Sequence, residues 1–222
     1  MAKVTSLIDL NGKVGNYVYY KLRGKKVVRT ISTKKKDPDK PASLILVQQN
    51  MEFGKASSAN KLLRTAMIEE FNKLHVQYLN EHLSKLMMKL KSFDTAASGS
   101  RTVAGGLTTE NGQNFLRSFN FHKKSGHFPR ILKAANYNGV LHLDLSTTEN
   151  TDVSFTELQI DFENETFRRH VHVMPETGQQ GKVILEKQFK FKKGFTDLVF
   201  IHGKKFLQGC SVIESGKNRT NQ

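Results

Sequence analysis

Hydrophobic and polar positions first fall into a β pattern. From Lys13 to Ile31, two runs rich in Val, Tyr and Ile are separated by Arg23-Gly24-Lys25, a hairpin signature in which Gly24 supplies the positive φ of a tight turn. Alternation along the first run assigns Val14, Val18, Tyr20 and Leu22 to one face, expected to be core. Tyr17, Tyr19, Lys21 and Arg23 fall on the other, expected to be a contact surface. The polar stretch Lys34 to Pro41, with Asp37-Pro38 and Lys40-Pro41, opposes regular structure and predicts an extended basic linker.

After Pro41 the period changes. The stretch 42–90 is rich in Leu, Met, Gln, Glu and Lys without a further proline, and predicts two or three helices. Met67, Phe71, Leu74, Tyr78, Leu83, Leu86 and Leu90 form an apolar stripe at three-to-five-residue spacing, which ordinarily faces a core. From Asp94 to Gln113 the composition turns to Ala, Ser, Thr and Gly, with Gly105-Gly106, and predicts a connector. Seven β-rich runs follow: 115–122, 140–145, 154–162, 167–174, 182–191, 197–201 and 207–213, an antiparallel sandwich or barrel pattern. Leu158, Ile160 and Phe162 alternate with Gln159, Asp161 and Glu163, predicting one buried and one wet face. The expected class is therefore α+β: a basic hairpin and linker (1–41), a helical segment (42–93), a connector (94–114), an antiparallel β-sandwich (115–215) and a polar tail (216–222).

Charge sharpens this picture. The chain of 222 residues carries 35 Lys and Arg against 20 Asp and Glu, a net +15. By segment the net charge is +8 over residues 1–40, +5 over 41–150 and +2 over 151–222. A uniform spread would indicate solubility alone; concentration at one end indicates a contact surface for a polyanion. Tyr17 and Tyr19 beside cations suit a nucleic-acid surface, because phosphates pair with Lys and Arg while rings stack on bases or riboses. The candidate contact residues are Lys13, Tyr17, Tyr19, Lys21, Arg23, Lys25, Lys26, Arg29, Lys34, Lys35, Lys36 and Lys40. A second cluster adds Lys123, Lys124 and Arg130, and Lys190 to Lys193 could widen the footprint.

Catalytic and metal patterns are weak. Cys210 is the one cysteine, so no intramolecular disulfide forms, and a cytoplasmic location is expected. The N-terminal apolar patch is too short for an export signal, and no apolar run suggests a membrane span. His75 and His82, seven apart, could share a helix face, and His170 and His172 a strand face, but neither pair has a third ligand at metal spacing. Glu69 and Glu70 diverge by about 100° on a helix and are not expected to converge on one substrate. Gly99 to Gly105 superficially resembles a phosphate loop but lacks the Gly-Lys-Ser/Thr ending. The expectation is a non-enzymatic protein without cofactor, metal or small-molecule substrate.

The pattern Gly12-Lys-Val-Gly-x-x-Val-x-Tyr-x-x-Arg23-Gly-Lys-x-Val-Val-Arg29, then a basic linker and a helix carrying Gln48-Gln49-x-x-x-Phe53, resembles a family of small basic proteins of Bacteroidetes-type bacteria. The match covers residues 10–66 well and the remainder in outline. It implies an N-terminal hairpin, a helix and a C-terminal β-sandwich, with no catalytic residues to carry over. It also implies similarity to the lineage-specific protein of the large ribosomal subunit in that group. The expected function is then structural binding of ribosomal RNA, with neighbouring ribosomal proteins as further partners and no membrane. The alternative is a structural protein of a phage-like or mobile-element particle that touches DNA or an acidic subunit.

Overall fold

The computed structural model describes residues 2–3, 10–31, 43–121, 128–146, 153–172 and 181–214. The chain divides into two compact units, Met1–Ser43 and Leu44–Gln222. It combines helices with largely antiparallel sheets, so the class is α+β.

The first unit is a sheet of β1 (Ala2–Lys3), β2 (Gly12–Val14), β3 (Tyr17–Leu22) and β4 (Lys25–Thr30), in the order β1-β4-β3-β2, antiparallel throughout. The β3–β4 loop is two residues long. Arg23 (φ 52°) and Gly24 (φ 75°) are both left-handed, the requirement of a type I′ hairpin turn.

The second unit begins with α1 (Leu44–Ala66), α2 (Ile68–Leu74), α3 (Leu79–Ser92), α4 (Val103–Thr108) and α5 (Glu110–Ser118). α1 turns Ala56, Ala59, Leu63 and Ala66 inward at helical spacing. Left-handed residues at His75 and Tyr78 separate α2 from α3. The apolar stripe expected on this region is therefore divided between α2 and α3, with Met67 and Tyr78 just before each. Its Met67, Phe71, Leu83, Leu86 and Leu90 are buried, while Tyr78 is exposed.

Two expectations change here. The stretch read as a connector contains α4 and the start of α5, capped by Thr102 and Thr109, whose hydroxyls accept hydrogen bonds from the Gly105 and Gly112 amides at 2.9 and 3.1 Å. Its glycines serve helix packing: a Cβ on Gly106 would lie 1.9 Å from the Leu90 carbonyl oxygen of α3. The run 115–122, expected as a strand, lies in α5 as far as Ser118. Its aromatics form a core cluster, with Phe119 and Phe121 rings 4.9 Å apart and Phe121 and Phe200 6.1 Å apart.

The strands are β5 (Ile131–Tyr137), β6 (Val140–Leu145), β7 (Ser154–Asp161), β8 (Thr166–His172), β9 (Lys182–Glu186), β10 (Thr196–His202), β11 (Leu207–Ser211) and β12 (Ile213–Glu214). β5 was not among the expected strands. One sheet runs β12-β5-β6-β9 and the other β11-β10-β7-β8, with a short parallel pairing of β12 on β5. Phe155, Val199 and Ile201 meet Leu141, Leu143, Val183 and Leu185 in the core between the sheets. Leu158, Ile160, Leu198, Phe200 and Leu207 instead join Leu63, Met67, Phe71 and Leu86 of the helices.

The arrangement is three-layered, with helices, a middle sheet and an outer sheet. The outer sheet has a wet face, seen in the exposed Lys182, Ile184 and Glu186 of β9, and the middle sheet is exposed along its edge strand β8 at Thr166, Arg168 and Val171. The expected wet face of β7 is corrected, because β7 lies inside the middle sheet and is buried on both of its faces. Gln159 and Asp161 are buried. Gln159 Nε2 donates to Asp197 Oδ1 at 2.9 Å and to the Lys190 carbonyl at 3.0 Å. Asp161 accepts from the Glu163 and Asn164 amides at 3.0 Å and from the Asn164 side chain at 2.8 Å.

Candidate nucleic-acid interface

Residues 10–31 contain Lys13, Lys21, Arg23, Lys25, Lys26 and Arg29 and no Asp or Glu. The strand register sorts them, because direct cross-strand partners project to the same face. One face holds Val14, Tyr17 and Thr30, then Tyr19 and Val28, then Lys21 and Lys26. The opposite face holds Lys13, Val18 and Arg29, then Tyr20 and Val27, then Leu22 and Lys25.

This corrects the expected division of faces. Val14 shares the face of Tyr17 and Tyr19, because the Gly15-Asn16 turn ends β2 and breaks the alternation at that point. The face expected to be core carries three cations. None of residues 10–31 is buried, and Leu22 is 45% exposed. The turn dipeptide Gly15-Asn16 was the sequence signal for the faces of Lys13 and Val14, while the pairing across the Arg23-Gly24 turn sets those of Lys25 and Arg29.

The structure brings Lys13, Tyr17, Tyr19, Lys21, Lys25, Lys26 and Arg29 into one small sheet, with Arg23 at its β3–β4 turn. Lys21 and Lys26 are direct partners across β3 and β4. Lys13 and Arg29 flank Val18 on either side, two strand spacings apart, or roughly 10 Å. Lys34, Lys35, Lys36, Lys40, Lys123 and Lys124 lie outside the described residues. Arg130 belongs to the second unit, exposed at the entry to β5, where its amide donates to Ser146 Oγ at 3.0 Å.

The other chemical candidates resolve into structural contacts. Asp94 fills the loop that resembled a phosphate site, accepting from the Ala96 amide at 2.9 Å, the Thr102 amide at 2.7 Å and the Thr102 hydroxyl at 3.1 Å. Burial opposes its ionisation, but these donors hold its pKa below the ordinary value, so an anion already occupies this loop. Glu69 and Glu70, expected to diverge, both accept from Arg169 Nη2, at 2.8 and 2.6 Å. His75 ends α2 and His82 lies in α3, so they share no helix.

His170 and His172 do approach, with ring centroids 4.7 Å apart. The carboxylate beside them, Glu157, was invisible in the sequence: its Oε2 lies 3.2 Å from His172 Nε2 and accepts from the Gln188 amide at 3.0 Å. Among the described residues, no three His, Cys, Asp or Glu are placed to hold a metal ion, and no helix is long and apolar enough to cross a membrane. Cys210 is buried, which pushes its thiol pKa up to about 11, away from nucleophilic chemistry.

Comparison of the chain with protein-family models, with curated proteins and with solved structures returned no match.

Proposed function

We propose that the protein is a non-enzymatic binder of ribosomal RNA and a structural constituent of the large ribosomal subunit, anchored by its N-terminal sheet. The observation that carries the nucleic-acid reading is the cross-strand pairing of Lys21 with Lys26 in a segment with no acidic residue between positions 10 and 31. A phosphate backbone laid on that face would lie beside two ammonium groups on adjacent strands, and its binding releases the counterions that it had condensed. Tyr17 and Tyr19 on the same face supply rings for stacking.

The ribosome enters through the sequence pattern at residues 10–66 and its resemblance to the Bacteroidetes-type family. Sucrose-gradient fractionation of cell lysate tests it. Co-migration with the large subunit through a moderate-salt wash is the expected result. A pool that is free, or found only in a phage-like particle, overturns the reading.

A further inference from the structure

The sheet carries cations on both sides. Lys21 and Lys26 project from one face; Lys13, Lys25 and Arg29 project from the other, around Val18, Tyr20, Val27 and Leu22. Tyr19 and Tyr20, adjacent in sequence, therefore point to opposite faces, and both are half-buried. A sheet that bound RNA on one side and packed against protein on the other would present an apolar second face. Here such a cover would have to desolvate Lys13, Lys25 and Arg29, with no acidic residue between positions 10 and 31 to pair with them.

We propose that this sheet is wedged between two RNA strands, one on each face. The inference rests on the RNA-binding reading above and deepens it. Phosphates of one strand lie against Lys21 and Lys26, and phosphates of the other against Lys13 and Arg29, with Lys25 further along that face beyond Tyr20 and Val27. Tyr19 stacks on the first side and Tyr20 on the second. The Arg23-Gly24 turn is the narrow end of the β3–β4 hairpin, with a cation at its tip. A single layer of strands with cations and rings on both surfaces suits the cleft between two backbones better than a flat groove.

The test uses the full-length protein with a photoreactive benzophenone side chain in place of either Tyr19 or Tyr20, irradiated with large-subunit ribosomal RNA. Crosslinks from both positions, to different nucleotides, are expected. Crosslinking from one position alone, or from both to the same nucleotides, overturns the two-sided arrangement. A paired measurement compares K21A/K26A with K13A/R29A. Each double variant should lower the slope of log affinity against log salt by roughly 1.4 to 1.8, and the quadruple variant by about twice that. An unchanged slope in either double variant overturns the inference. If the parent protein neither binds nor crosslinks to RNA, the RNA-binding reading itself falls, a result distinct from one-sided labelling.

Discussion

Lys21 and Lys26 face each other directly across the β3–β4 ladder, each separated from the Arg23-Gly24 turn by one residue. Two ammonium groups on adjacent strands favour a bound polyanion. Lys26→Glu replaces the like-charge pair with opposite charges directly across the ladder, an arrangement that strengthens a sheet by about 0.2 to 1 kcal/mol. Amide hydrogen exchange of β3 and β4 should slow, while RNA affinity falls and its salt dependence flattens by about one phosphate contact.

Gly24 tests how far the binding surface depends on the turn. Its φ of 75° is left-handed, and a Cβ there would meet nothing within 4 Å. The cost of Gly24→Ala is thus conformational, about 1 kcal/mol. Faster exchange of the amides of Leu22 and Lys25 should report it, with the second unit's melting temperature unchanged.

Arg169 links β8 to α2 through Glu69 and the buried Glu70. Burial opposes ionisation of Glu70, yet the Arg169 guanidinium holds its pKa below the ordinary carboxylate value. Arg169→Met would leave that carboxylate buried without its cation, costing about 3 kcal/mol or more in denaturant unfolding. Adding Glu70→Gln to that variant should recover part of the loss, which distinguishes an unpaired charge from lost packing.

His202 gives the unfolding free energy a pH dependence. Burial lowers its pKa from 6.5, and the ring lies 3.0 Å from Thr156 Oγ1. The unfolded chain then binds a proton more readily than the folded one. Stability from the neutral ring is complete above pH 6.5 and declines as the pH falls below that value. Glu52, Glu70, Asp94 and Asp161, all with lowered pKa, add a second decline below the ordinary carboxylate range. Urea unfolding at pH 7.5 and pH 5.5 should show the first decline in the parent and a smaller one in His202→Gln.

Gly106 lets α4 approach α3 at backbone distance. Gly106→Ala places a methyl group 1.9 Å from the Leu90 carbonyl oxygen, where no side-chain rotation relieves it. A loss of about 2 to 3 kcal/mol in unfolding free energy is expected. By contrast, a Cβ on the exposed Gly54 of α1 would meet nothing within 4 Å, and Gly54→Ala should stabilise α1 by roughly 0.5 to 1 kcal/mol.

Much of this architecture was legible in local pattern. The Arg23-Gly24 turn, the strands from Val140 onward and the helices after Pro41 follow from turn chemistry and period, which act over a few residues. The exceptions have physical causes. Phe115, Phe119 and Phe121 resembled a strand because aromatic residues favour strands, whereas Thr109 caps a helix and their rings fill the core beside Phe71 and Phe200. Gly105 and Gly106 resembled a linker because composition does not distinguish a flexible glycine from one pressed against another helix. In the candidate site, the cation cluster was legible, but its sidedness was not: the Gly15-Asn16 turn moved Val14 to the other face.

By itself, the sequence determined where the charge lies, that residues 10–31 are acid-free and which segments prefer strand or helix, since these are properties of single residues and their neighbours. Tertiary structure decided which faces are covered. Gln159 is buried against the Lys190 carbonyl of the segment after β9 and Asp161 within the turn of Glu163 and Asn164, while the helices cover the side of Leu158 and Ile160. Lys13 and Arg29 oppose Lys21 and Lys26 because strand register sets the face of every side chain. Burial and sidedness depend on segments distant in the chain, and no local pattern records what will pack there.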